Sequence, residues 1–258
     1  MKNQRWILDI MAFLMYGFLL FELVKTAVLM PTIAKSLNLN LVQVGLLLGI
    51  FSGGPGIIMG IFGGIIVDKI GTRYSGLFPL IAFTVVTLGI GLSSTYIELA
   101  GVIIVFGVFE SFTNTVVYKI TGNWFNTKQR GLGAGLANSA SPFFTFLAPT
   151  VAIPILLFFG GNYHDVFFVF AIAAVPLLIL WIIFVYDRPE ESRFIEYDEL
   201  KNIYSDELKE GLVTEDQLQE ALKTHSDITN FNKKIKSSKS VSVKKAFSYI
   251  FSDYRALG

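Results

Sequence analysis

The sequence contains no cysteine and only two histidines, His164 and His225. Disulfides and thiolate metal centres are therefore excluded. The two imidazoles, one in a loop and one in a polar segment, have no partners for a histidine metal site. Charge is scarce too: 16% of residues are Asp, Glu, Lys or Arg, against about 25% in an ordinary soluble domain. The net charge of +1 identifies no partner. Neither a phosphate-binding glycine loop nor a nucleophile with a base can be found, so nothing points to an enzyme or to a bound cofactor.

Hydrocarbon takes the place of charge. Hydrophobic residues make up 53% of the chain, and the mean hydropathy is +0.58. The apolar residues fall in six blocks, approximately 6–31, 42–67, 75–93, 97–121, 131–158 and 165–186. Roughly 20 consecutive apolar residues span a bilayer. The blocks lack the period-2 alternation of barrel strands, so they are expected to form an all-α membrane protein with six transmembrane helices. The first block is too long for a signal peptide, lacks a small-residue cleavage site and is followed by further spans.

Lys and Arg set the expected orientation. Lys2 and Arg5, Lys69 and Arg73, and Lys128 and Arg130 flank the tail and the even-numbered loops, whereas the intervening loops offer only Lys35. The amino terminus and everything after the sixth span are thus expected to be cytoplasmic, in a plasma membrane. The expected organisation is a bundle over 1–186, a cytoplasmic central loop over 187–245 and the start of a seventh span over 246–258. The last segment makes the chain read as cut short. In the loop, VTEDQL (213–218) is a helix start, with Thr214 as cap, Gln217 bonding back and Val213 stapled to Leu218; the helix is expected to end near Thr224. The Lys-rich run from Lys233 to Lys245 reads as a solvated or headgroup-facing linker rather than a nucleic-acid site.

Span two carries two glycine stripes, Gly45, Gly49 and Gly53, then Gly56, Gly60 and Gly64 beyond Pro55; span five has Gly131, Gly135 and Ser139. Four-residue spacing puts small residues on one face and predicts close helix packing. The two stripes are expected to face different neighbours or to mark a bend at Pro55.

The loop after span two reads GGIIVDKIGTR (63–73). It resembles the signature loop of the major facilitator superfamily, with Gly64, Asp68, Lys69, Gly71 and Arg73 in the matching positions. A second stretch, residues 110–151, resembles spans four and five of that superfamily's anion:cation symporter branch, in particular its hexuronate and sugar-acid transporters. Glu110, Lys119, Trp124, Phe125, Arg130, Gly131, Asn138, Ala148 and Pro149 fall in register, as do Glu22 and Pro31 in span one. The resemblance implies a twelve-helix fold of which this chain supplies the first six-helix bundle, with a missing carboxy-terminal half as its partner. It also implies that Gly64, Asp68, Gly71 and Arg73 form an inner gate. Glu22 and Glu110 would carry protons, the coupling ion.

An unpaired charge at mid-bilayer costs about 2.5–3.5 kcal/mol on insertion scales, so such residues are functional candidates. Helical spacing places Glu110, Asn114 and Thr121 on one stripe, with Tyr118 beside it. The expected substrate-binding residues are Lys25, Asn114, Tyr118 and Asn138. Glu22 and Lys25 are close enough in register to touch. They form either a neutralising structural pair or a site in which Lys25 attracts an anion while Glu22 takes the proton. Lys119, opposite Glu110, is either a snorkelling lysine or part of the family pattern.

The branch usually carries arginine where this chain has Leu23 and Ile103, so a smaller or singly charged anion is expected in place of a sugar acid. The span-five motif of drug antiporters is replaced by SASPFF (139–144). Asp9 sits where solvation should be easy, near the inner end of span one. Trp6 and Trp124 fit interfacial anchoring, and Trp181 inside span six does not. The function expected is proton-coupled symport of a small organic anion. The alternatives are an oxalate/formate- or monocarboxylate-type exchanger, and a transporter-derived sensor that binds a ligand and signals through the loop.

Overall fold

The computed structural model describes residues 4–209 and 211–237, all of whose regular elements are helical. The expected seventh span at 246–258 and the Lys-rich run beyond Ser237 lie outside the described residues. The bundle comprises α1 (Gln4–Ser36), α2 (Leu41–Gly45), a π-helical turn (Leu46–Phe51), α3 (Ser52–Ser75), α4 (Leu77–Leu92), α5 (Tyr96–Trp124), α6 (Thr127–Asn138), α7 (Ala140–Phe158) and α8 (Tyr163–Phe184). Five helical stretches are long and apolar enough to cross a membrane: Gln4–Ser36, Leu41–Gly60, Tyr96–Trp124, Thr127–Phe158 and Tyr163–Phe184. The expected third span is shorter. It is the 16-residue α4, about 24 Å at 1.5 Å per residue, and it completes a sixth crossing only with Phe62–Ser75, to which it is bent by 71°. Composition and helix length together make this a multi-pass integral membrane protein.

Helix α1 lies at the centre, packed on α4, α5, α6, α7 and α8. Its hydrophobic residues run all round the helix, as in any buried helix. Local chemistry fixes the helix ends. Asn40 with Gln43, and Thr95 with Glu98, form reciprocal capping boxes that start α2 and α5. Phenylalanine fills the space between helices: Phe13, Phe143 and Phe144 pack edge-on or tilted at 5.3–6.0 Å. Gly17 makes room for the Phe144 ring, which would stand 2.1 Å from a Cβ there.

The glycine stripes do not pack as their spacing predicts. Nothing lies within 4 Å of a Cβ at Gly45, Gly49, Gly53, Gly60, Gly64, Gly131 or Gly135. Of the stripe glycines, only Gly56 makes a close approach, to Gly107 where α3 crosses α5; another close approach is at Gly133, outside the stripes, against Thr121 and Phe125. Spacing identified small faces but not their neighbours. The two stripe-bearing stretches are also the least covered, with 6% and 17% of their apolar windows buried against 39–50% for the other three.

The chain divides into two compact units between Arg188 and Pro189. The second holds a 3₁₀ turn (Pro189–Glu191), α9 (Tyr197–Lys209) and α10 (Glu215–Ser237). Thr214 and Gln217 cap α10 reciprocally, through Gln217 N–H to Thr214 Oγ1 at 3.3 Å and Thr214 N–H to Gln217 Oε1 at 2.8 Å. The helix runs well past Thr224, because no glycine or proline interrupts it and Leu218, Ala221, Leu222 and His225 give it a continuous buried face. Helix α9, which shields Leu200 and Ile203, was not foreseen.

Candidate functional site

Glu22 and Lys25 are one helical turn apart near the middle of α1, and both are fully buried. The Lys25 ammonium donates to Glu22 Oε2 at 2.5 Å. Thr87 of α4 donates to the same oxygen at 2.8 Å, and Thr26 donates to Oε1 at 3.2 Å. The Lys25 Nζ lies 4.3 Å, 4.9 Å and 5.8 Å from the ring centres of Phe167, Phe170 and Phe83. Three π faces and one carboxylate thus replace water around the cation.

Beside Glu22 is a cavity of about 30 Å³. Helix α1 contributes Glu22, Leu23 and Thr26, and α4 contributes Val86 and Ile90. The π-helical turn supplies Leu47 and Leu48, Ser52 follows it, and α5 adds Ile103 and Phe106. A π-helical turn inside a helix often marks a functional site. Leu23 and Ile103, where the resemblance leads one to expect arginines, are both wall residues. Lys25 is not: its charge points into the phenylalanine box and away from any path through the cavity.

Glu110 lies elsewhere. It is half-buried, it does not line the cavity, and no hydrogen bond joins it to Glu22. Tyr16 of α1 and Tyr118 lie near it. Tyr118 donates to Asn138 Oδ1 of α6 at 3.3 Å. Asn114 and Tyr118 are exposed, so this polar group forms an open face of the bundle. Glu22, on α1, thus faces a cavity lined by Phe106 of α5, and Glu110, one turn further along α5, lies outside it.

The signature loop forms a third locus. Helix α3 breaks at Gly71, whose φ of 79° is open only to glycine. A Cβ there would also stand 2.8 Å from the Asp187 carboxyl. Asp187 Oδ1 accepts from Thr72 N–H at 2.6 Å and from Thr72 Oγ1 at 2.8 Å, capping the turn that leads into α4. Arg73 reaches the Ile182 carbonyl at 3.2 Å and stacks 4.8 Å from the Tyr186 ring centre. Asp68 pairs with Lys119 of α5 at 3.0 Å, and Lys119 also donates to the Val67 carbonyl at 3.0 Å. Asp68 and Arg73 therefore have partners inside this bundle, and Lys119 is a cross-helix tie rather than a snorkelling lysine.

Sequence reasoning missed Asp187 and Trp181, whose partners lie over 100 residues away. Trp181 is fully buried under Gly76 and donates from its indole to the Arg73 carbonyl at 3.0 Å. Trp124 is no interfacial anchor, being fully buried. Asp9, expected to be solvated, is also fully buried, and both its carboxyl oxygens lack a hydrogen-bond partner.

Asp187→Ala should lower the stability of the bundle by about 2–3 kcal/mol, since it removes a charged acceptor that satisfies two donors. Asp187→Asn should retain most of that. Thermal unfolding of the purified protein, compared across the three forms, checks both outcomes.

The loop, the helix order and the packing can be set beside known proteins. The family model described as Major Facilitator Superfamily matches residues 10–254. A protein of Escherichia coli (strain K12) described as a probable L-galactonate transporter is 28% identical over 153 residues, covering 58% of this chain and 32% of its own length. A solved bacterial homologue of the human lysosomal transporter Spinster, inward-facing and unoccupied, matches with a TM-score of 0.61 at 17% identity. That match covers 73% of this chain and 44% of the other. At that identity the structural likeness speaks for the fold alone. The chain spans less than half the length of either relative. With a family model covering almost its whole length, this chain belongs to the Major Facilitator Superfamily.

Proposed function

We propose that this chain is the first bundle of a secondary active transporter that moves a small organic anion together with protons. The family and both relatives are transporters rather than enzymes. The observation that carries the reading is the fully buried Glu22 beside a cavity, held by Lys25 and two threonine hydroxyls. A carboxyl so placed can exchange a proton with the cavity, and Lys25 remains to pair the carboxylate when the proton leaves. Glu110, half-buried on the open face, is the second proton-carrying acid, and Asn114, Tyr118 and Asn138 line the substrate path beside it. Lys25 acts through Glu22, as its fixed counter-ion.

Alternating access needs two bundles that rock about a central site. The poorly covered faces of α2–α3 and α6–α7 suit a second bundle, with the loop of Gly64, Asp68, Gly71 and Arg73 at its edge as the inner gate. The Lys and Arg distribution supports a cytoplasmic position for that gate and for the amino terminus; the membrane we propose is a plasma membrane.

The test is uptake into proteoliposomes under an imposed pH gradient, with L-galactonate and short monocarboxylates as probes. Glu110→Gln and the paired change Glu22→Gln with Lys25→Met should each reduce gradient-driven accumulation to the diffusive level. Intact accumulation in both would remove the assignment. One observation favours the exchanger reading: Lys25 already neutralises Glu22 without a proton. Counterflow that ignores pH would select it.

A further inference from the structure

Among the described residues, the wall of the cavity that Glu22 faces holds no cation and no spare hydrogen-bond donor. We infer that this cavity binds a monocarboxylic acid of one to three carbons together with its proton, the carboxyl group against Glu22 and the short chain against Ile90, Ile103 and Phe106. The inference rests on the reading of Glu22 as a proton-carrying acid, and it names the ligand class of that same site.

Charge is the first argument. Lys25 is the one titratable group on Glu22, and its ammonium is enclosed by Phe83, Phe167 and Phe170 outside the wall. Among the described residues, α4 offers Glu22 only the Thr87 hydroxyl, and α5 and the π-helical turn bring no titratable side chain to the cavity. A ligand carboxylate entering here would put two carboxylates on a single ammonium. Like charges so placed share a proton. The ligand acid therefore donates its O–H to Glu22, and one proton enters per molecule bound.

The hydroxyls agree. Thr26 Oγ1 has given its hydrogen to Glu22 Oε1, and Ser52 Oγ has given its own to the Leu48 carbonyl at 2.6 Å. Neither has a hydrogen left to offer a carboxylate, whereas the single O–H of the acid is met by Glu22. An anion with nothing to donate would be buried without partners, and unpaired burial is costly.

Size sets the length. A cavity needs roughly 10–15 Å³ to admit one water; the room beside Glu22 is about 30 Å³, in a pocket that is part-open with Leu48 of its wall exposed, which suits a few heavy atoms. A polyhydroxy acid would bring several hydroxyls against Leu47, Val86 and Ile103, none of which can pair with them. Leu23 and Ile103 also deny such an acid the guanidinium forks that could hold its carboxylate.

The experiment is ligand-observed NMR on the intact purified protein, with acetate, propionate, acetamide and L-galactonate as probes between pH 5.5 and 7.5. Acetate and propionate should bind, with apparent affinity rising about tenfold for each pH unit lowered, the signature of one proton taken up with the ligand. Acetamide, which donates without a charge, should compete equally at every pH. Ile103→Phe should abolish acetate binding by filling the cavity, and Ile103→Ala should shift preference towards longer chains. If one variant fails to fold, the other still decides.

Acetate affinity flat across pH, or galactonate binding as tightly as acetate, overturns the inference. The wider reading fails differently. Proton-driven uptake of galactonate without acetate binding would keep the transporter and remove this ligand. Acetate binding with the expected pH slope but no gradient-driven uptake would keep the ligand and remove coupled transport.

Discussion

Lys25→Met is expected to destabilise the bundle by about 3–5 kcal/mol, the usual cost of breaking a buried ion pair from one side. Methionine matches the lysine stem in volume and sits easily among Phe83, Phe167 and Phe170. The cost therefore comes from charge, not from packing: Glu22 would remain fully buried with two threonine hydroxyls and no counter-ion. The double change Glu22→Gln with Lys25→Met should recover most of the loss, because a neutral amide accepts from one threonine hydroxyl through its oxygen and donates to the other through its NH2, and no charge is left to desolvate. Thermal unfolding of the single and double variants measures the difference. If Lys25→Met is as stable as the native protein, Glu22 already carries a proton in the resting state and the pair is not an ion pair. A pair worth keeping at this position is explained by function more readily than by stability, since apolar residues would fill the same space as well.

The sequence disclosed those elements whose causes are local. Apolar blocks gave the spans, S/T-x-x-Q spacing gave the start of α10, and an acid and a lysine three residues apart gave the one buried ion pair in the centre of α1. Gly71 was legible through the signature loop, and what it requires is local, a backbone angle. What the sequence hid are pairings over distance. Asp187 meets Thr72 across 115 residues, and Lys119 meets Asp68 across 51. Neither partner has a motif of its own that points to the other. Glu22 and Glu110 both read as intramembrane acids, yet only packing reveals that one is walled into a cavity and the other stands on an open face. The short α4 was hidden for another reason: hydropathy reads 75–93 as a span of its own and cannot see that the helix covers only Leu77–Leu92 and is bent by 71° from Phe62–Ser75.

Glycine offers the sharpest separation between fold and function. Gly107→Leu is expected to prevent the bundle from forming, because even the first carbon of a side chain would stand 2.3 Å from the Ser52 carbonyl oxygen and 3.2 Å from that of Phe51. These are backbone atoms, which cannot swing aside as the end of a side chain can. Gly107→Ala should already cost at least ~3 kcal/mol, the top of the ordinary overpacking range, less the ~1 kcal/mol that alanine returns through helix propensity. Gly60 makes the opposite case. It lies in α3, it is exposed, and a Cβ there meets nothing within 4 Å. Gly60→Ala should stabilise α3 by up to about 1 kcal/mol, and Gly60→Leu should leave the bundle folded. Under the proposed transport cycle Gly60→Leu should nevertheless abolish uptake, because the stripe it interrupts is where a second bundle would slide at close quarters. Unfolding curves and proteoliposome uptake for these variants separate the two roles. Full uptake by Gly60→Leu would show that the open stripe faces lipid, and would leave Gly56 and Gly107 as the only glycines of the α3–α5 crossing that the fold requires.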